Sequence, residues 1–201
     1  HKEGEAIFDE DGNRITDWFS EIDELHSGLL DGRSIYYLAR KGGKGWAIFH
    51  KYGNQISDWF YKIYPDGLLE GESNYYIAEK YTSSGYKKAI FDKYGNQISD
   101  WYFEIYPDGL IKGESNYYIA CERRSSIYTW ESHNLCAVYH KNGQKVSDDF
   151  RIYGGECIRP HMTKGFITKI NCTTKETVET IYFTIKNENE NFLDYTKLLN
   201  I

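Results

Sequence analysis

Apolar residues in this chain fall in short runs rather than at helical spacing. Between Trp46 and Lys80 it reads WAIFHK, Tyr-Gly-Asn, QISDWFYKIY, Pro-Asp-Gly, LLEGES and NYYIAEK. Runs rich in Ile, Tyr, Phe and Trp, broken every few residues by Gly, Asn, Asp or Pro, predict short strands joined by turns. In NYYIAEK, Tyr75 and Ile77 fall on one face and Tyr76 and Ala78 on the other, so this strand is predicted to be covered on both sides. In QISDWFYKIY, Ile56 and Phe60 share one parity while Trp59, Tyr61 and Ile63 share the other, and a bulge near Ser57-Asp58 would reconcile them. Gly53 and its equivalents Gly12, Gly95 and Gly143 sit where a hairpin turn needs positive φ. In Tyr64-Pro65-Asp66-Gly67, proline is expected to set the first turn position and Gly67 to take the left-handed one.

The pattern recurs. The stretch from Lys51 to Ala78 returns from Lys93 to Ala120 with five letters changed. Aligned on their openings, AIFDEDGNRITDWF from Ala6, AIFHKYGNQISDWF from Ala47, AIFDKYGNQISDWY from Ala89 and AVYHKNGQKVSDDF from Ala137 are offset by 41, 42 and 48 residues. The copies run over about 5–46, 47–88, 89–136 and 137–186, with 187–201 expected as a C-terminal cap and 1–201 as a single repeat domain. The fourth copy keeps glycines and β-branched residues after Phe150 but not the letters, as terminal units of a stack tend to do. The expected fold is all-β: tandem antiparallel β-meander repeats of about 42 residues, solenoid or propeller-like.

Composition narrows the function. Hydrophobic residues make up 40% and aromatic residues 17%, with 19 tyrosines, which is ample for a core. Lys and Arg number 24 against 30 Asp and Glu, a net charge of −6, and this disfavours a nucleic-acid partner. No apolar run approaches the ~18 residues of a membrane-spanning helix. The sequence opens on His1 rather than methionine, so the chain is expected to belong to a larger protein or complex.

The segments AIFDKYGNQIS, DGL and YYIAEK resemble the WG-containing β-repeats of bacteria, and the likeness covers roughly residues 5–150, with Gly45-Trp46 near the place of the namesake pair. That resemblance implies a non-catalytic interaction scaffold and brings no catalytic residues with it. A looser likeness to aromatic- and glycine-rich cell-wall-binding repeats implies the alternative, a carbohydrate or cell-envelope binding module.

Candidate chemistry is sparse. Asp9-Glu10-Asp11-Gly12-Asn13 has calcium-loop letters, but its glycine comes two positions early for an EF-hand and the sibling copies replace the acids. His50 and His140 stand where other copies carry Asp9 and Asp92, and are read as surface side chains. A zinc site from Cys157, His161 and Cys172 would need a fourth ligand. No cofactor, metal or catalytic group is expected, and no Gly-x-Ser-x-Gly or metalloprotease pattern is present. Asp17-Trp18, Asp58-Trp59 and Asp100-Trp101 are either core or a ladder of aromatic platforms, and the core reading is preferred because the fourth copy replaces Trp by Asp149. The four cysteines read as buried or free thiols of a reducing cytoplasm. The alternative register, Ile119 opposite Val138, puts Cys121 opposite Cys136, close enough to bridge. With a protein as the expected partner, the residues expected to be exposed for binding are Lys62 and Glu104, and Glu72, Asn74, Glu114 and Asn116 in the shared Gly-Glu-Ser-Asn turn.

Overall fold

The computed structural model describes residues 4–23, 32–125, 132–154 and 156–183, which form four small antiparallel sheets and no closed barrel. The first sheet holds β1 (Glu21–Ile22), β2 (Tyr36–Lys41) and β3 (Gly45–His50). The second holds β4 (Lys62–Tyr64), β5 (Tyr75–Thr82) and β6 (Gly85–Asp92). β7 (Glu104–Tyr106), β8 (Tyr117–Ser125), β9 (Ser132–His140) and β10 (Phe150–Tyr153) form the third, and β11 (Glu156–His161), β12 (Phe166–Asn171) and β13 (Thr177–Tyr182) the fourth. Within every sheet, strands that follow one another in the chain lie side by side. The expected cap at 187–201 lies outside the described residues.

Each of the first three sheets straddles a boundary between sequence copies. The Tyr-Tyr-Ile-Ala strand of one copy pairs with the Ala-Ile-Phe strand that opens the next, so Ala39 faces Ala47, Ala78 faces Ala89 and Ala120 faces Ala137. Both faces of these strands are buried, as the alternation predicts. Tyr76 and Ala78 join Leu38 and Ile48 of the first sheet in one core, while Ile77 and Ile90 join Tyr118 and Ala120 of the third in another. On the far side of the third sheet, Ile119 and Val138 pack with Ile167 of the fourth. Each buried Leu, Ile or Val among them contributes about 1.5–3 kcal/mol, so a sheet that shares cores on both sides is held more firmly than one with a solvated face.

A bulge does form after the hairpin turn. Ile56 and Ser57 both direct their N–H groups at the Ile48 carbonyl, at 2.8 and 3.4 Å, and Ile98 and Ser99 do the same at Ile90. The bulge leaves the Ile48 N–H without a ladder partner, and it donates instead to Ser57 Oγ at 2.9 Å. Ile7 to Thr16, Ile90 to Ser99 and Val138 to Ser147 repeat this bond at 3.0, 2.9 and 2.9 Å. A buried donor must be satisfied, which accounts for a hydroxyl residue at this place in all four copies. The bulge does not reconcile the two parities by itself. Phe60 still bridges Trp46 in the hairpin, whereas Lys62 to Tyr64 pair with β5, so the chain changes partner strand at Tyr61 and buries both Phe60 and Ile63.

The Pro-Asp-Gly segments are not turns with a left-handed glycine. They open the one-turn helices α1 (Asp66–Leu69) and α2 (Asp108–Ile111), and neither Gly67 nor Gly109 has positive φ. The Pro65 carbonyl accepts the Leu68 and Leu69 N–H groups. Glycine is needed at 67 for a different reason: a Cβ there would fall 2.2 Å from the Ile111 carbonyl oxygen, so α1 and α2 touch backbone to backbone. The free-thiol reading is also overturned. Ile119 does face Val138, and Cys121 is bonded to Cys136 across that register; Cys157 is bonded to Cys172.

Candidate functional site

Where α1 and α2 come together, the core between the second and third sheets opens to solvent as a cleft of about 420 Å³. Its floor is the buried Ile77 and Ile105 with the half-buried Pro107 and Ile111, and the exposed Asp66, Glu70, Glu72 and Lys112 form its rim. Tyr64 and Lys88 form the remaining wall. The Tyr64 hydroxyl donates to Glu79 Oε2 at 3.1 Å, and burial together with that carboxylate pushes the Tyr64 pKa up to about 12. Lys88 is paired with Glu104 and its ammonium lies 5.6 Å from the centre of the Tyr64 ring, while the Lys62 ammonium lies 4.4 Å from the same ring. The rim thus presents three carboxylates and Lys112, and the wall lysine, Lys88, already has an acidic partner.

Of the residues expected to bind, Glu72 is on the rim, and Lys62 and Glu104 reach the cleft through Tyr64 and Lys88. Glu104 is half-buried rather than exposed, because it is held by Lys88. Glu114 lines a different, smaller cleft of about 210 Å³ with His161, Met162 and Lys164. Asn74 is exposed beside neither cleft, and Asn116 is half-buried, with its carbonyl accepting the Lys141 N–H at 2.7 Å, so the expectation of full exposure fails for it too. Nothing in the letters marks Ile77, Ile105 or Tyr64 as the cleft. Their one trace is that Glu70 and Lys112, at equivalent places in nearly identical copies, carry opposite charge.

The tryptophans are neither core nor free platforms. Each lies across the phenylalanine ten residues before it, with centroids 6.4 Å apart for Phe8–Trp18, 5.8 Å for Phe49–Trp59 and 5.9 Å for Phe91–Trp101. Each is also met by a cation, Arg14, Lys44 and Lys80 in turn. Trp59 and Trp101 are half-buried, so the core reading holds only for one side of these rings. An aromatic patch that the sequence does not single out lies at the open end of the second sheet. Tyr61, Tyr81 and Tyr86 are all exposed, with Tyr86 4.9 Å from Tyr61 and 5.1 Å from Tyr81.

The polar turn residues have local partners. Asp9 accepts the N–H groups of Asp11 and Asn13 and the Asn13 side-chain amide, and these bonds hold its carboxyl below the usual range, the Asn13 side chain most of all. Asp92 accepts the N–H groups of Tyr94 and Asn96 and the Asn96 side-chain amide, and His50 and His140 each accept one turn N–H through Nδ1, His140 being buried rather than the surface side chain expected. Asp and His alternate at this place because either can supply the acceptor. Cys157 and Cys172 are bonded to each other and so are not thiolate ligands for a metal with His161. No family model matches this chain, and no curated protein matches it significantly.

Proposed function

We propose that this chain is a non-catalytic scaffold of stacked β-repeats that recognises a protein partner, in the manner its resemblance to bacterial WG-containing repeats implies. The observation that carries the reading is the cleft between the second and third sheets. An apolar floor beneath three carboxylates suits a lysine or arginine side chain on an extended segment, its stem on Ile77, Ile105 and Pro107 and its charge toward Glu70 and Glu72. The stacked reading is supported by cores shared between sheets that follow one another in the chain, first with second, second with third and third with fourth. The ionisations displaced furthest belong to tyrosines such as Tyr37, Tyr76 and Tyr118, which burial holds protonated, a state that serves packing rather than proton transfer. Two disulfides support maturation in an oxidising compartment rather than a reducing cytoplasm.

The test is a peptide array scored with the purified chain and with a Glu70→Lys, Glu72→Lys variant. Retained peptides should carry a basic residue flanked by apolar ones, and the variant should lose them. Binding that survives the charge reversal would refute the cleft as the site. The exposed Tyr61, Tyr81 and Tyr86 favour a second reading, carbohydrate binding, since aromatic faces with polar neighbours such as Thr82 and Ser84 suit sugars. Retention on insoluble polysaccharide that disappears in Tyr81→Ala would replace the first reading with this one.

A further inference from the structure

In every copy after the first, the aromatic residue of the opening strand meets a tyrosine from the strand before it. Tyr37 stacks on Phe49 at 5.4 Å and 15°, Tyr76 on Phe91 at 5.5 Å and 14°, and Tyr118 on Tyr139 at 5.5 Å and 15°. The turn glycine of the same copy presses against the copy before. A Cβ on Gly53, Gly95 or Gly143 would lie 2.7, 2.3 or 3.0 Å from the carbonyl oxygen of Ile15, Ile56 or Ile98.

The first copy carries the same residues and lacks both contacts among the described residues. Phe8 is 50% exposed, against 5% for Phe49 and 7% for Phe91, and Trp18 beside it is 53% exposed. A Cβ on Gly12 would meet nothing within 4 Å. Two large rings and a turn shaped for close approach are therefore presented to solvent on one face. The rings lie at 70° to each other, edge to face, which is not the flat surface a sugar ring needs. What does fit is known from inside the molecule: a tyrosine ring for Phe8 and a strand carbonyl for the turn, the back of another unit. The fourth sheet does not carry the Tyr-Tyr-Ile-Ala letters, so a second copy of this chain does not supply that surface head to tail.

We propose that the face of Phe8, Gly12 and Trp18 is an open stacking surface whose occupant is a further β-repeat unit of this same kind. The inference rests on the stacked reading of the fold and adds a defined interface to it. The unit would lay a tyrosine on Phe8, bring a carbonyl against Gly12 and leave Trp18 half-covered, as Trp59 and Trp101 are.

The test is a chain in which residues 47–88 are repeated in place of residues 1–5, so that the added unit meets Ala6 as the original meets Ala89. Its melting temperature should rise by several degrees, and amide exchange over residues 6–19 should slow about tenfold or more. Phe8→Ala should then cost the extended chain as many degrees as Phe49→Ala costs the natural one, and replacing the added tyrosine equivalent to Tyr76 by Ala should erase the gain. An added unit that melts separately and leaves exchange over 6–19 unchanged would overturn the proposal. In the natural chain, Phe8→Ser should leave the melting temperature nearly unchanged while Phe49→Ser lowers it strongly; equal losses would show that the face is not open and overturn the proposal as well. If Phe49→Ser had no effect, the stacked reading would fall and this inference with it; a costly Phe49→Ser with no gain on extension removes the inference alone.

Discussion

Gly95→Ala should destabilise the chain far more than Gly12→Ala, although the two glycines hold the same place in their turns with φ of +84° and +83°. In both, a side chain enters the left-handed region at roughly 1–2 kcal/mol. The narrower unfolded ensemble of alanine returns roughly 0.4–1 kcal/mol, so the turn alone accounts for about 1 kcal/mol. Only Gly95 faces a neighbouring backbone, the Ile56 carbonyl oxygen at 2.3 Å from the new Cβ, and relieving such overpacking costs roughly 1–3 kcal/mol more. For a chain of this size each kcal/mol is worth about 2–4 °C in melting temperature. Gly12→Ala should therefore lower it by about 2–4 °C and Gly95→Ala by roughly 4–16 °C, followed by circular dichroism under oxidising conditions. Lys51→Glu and Lys93→Glu, at half-buried residues of the same turns whose ammonium groups lie over the Tyr52 and Tyr94 rings, should cost no more than about 1 kcal/mol. Equal losses for the two glycine variants would refute the reasoning, because the cost would then belong to the turn and not to the approach of one copy to the next.

Reducing the two disulfides, or replacing Cys121 and Cys136 together by Ser, should cost about 3 kcal/mol per bridge, since each closes a separation of 15 residues; melting curves with and without a phosphine reductant check this. Ser99→Ala should cost roughly 1–3 kcal/mol in a urea titration because the Ile90 N–H loses its acceptor, whereas Ser99→Thr should be nearly neutral, as Thr16 serves the first copy. Tyr64 has its pKa raised in the folded chain, so the stability tied to its neutral form is complete below pH 10 and is lost as pH rises toward about 12; Tyr64→Phe should melt with a shallower decline over that window. Calcium, zinc and EDTA should give superimposable melting curves, since the carboxylates of Asp9 and Asp92 are already bonded to their own turns.

The strands, the hairpin glycines and the bulge were legible in the letters because each rests on local chemistry. Alternation fixes which faces a strand buries, and a hydroxyl two residues after Gln55 or Gln97 marks where the ladder breaks. The pairing of Cys121 with Cys136 was legible as a register, but whether the pair was oxidised was not, since count and spacing suit thiols equally well. The role of Pro-Asp-Gly was not legible because the reason for Gly67 is not in its own turn but in the Ile111 carbonyl, 44 positions away.

Sequence by itself determined that the chain is all-β, that its strands are short, and that its second and third copies use the same parts. It even records one coupled change: Phe60 and Phe91 touch at 5.2 Å, and the equivalent pair Tyr102 and Tyr139 touch at 5.5 Å, both residues having gained a hydroxyl. Burial and the Tyr139 hydroxyl together push the Tyr102 pKa upward. What only the tertiary structure decided is which copies share a core, where that core opens, and which face is left uncovered. Identical residues such as Phe8 and Phe49 acquire different exposure from neighbours that lie outside their own unit, and a local pattern carries no record of what packs against it.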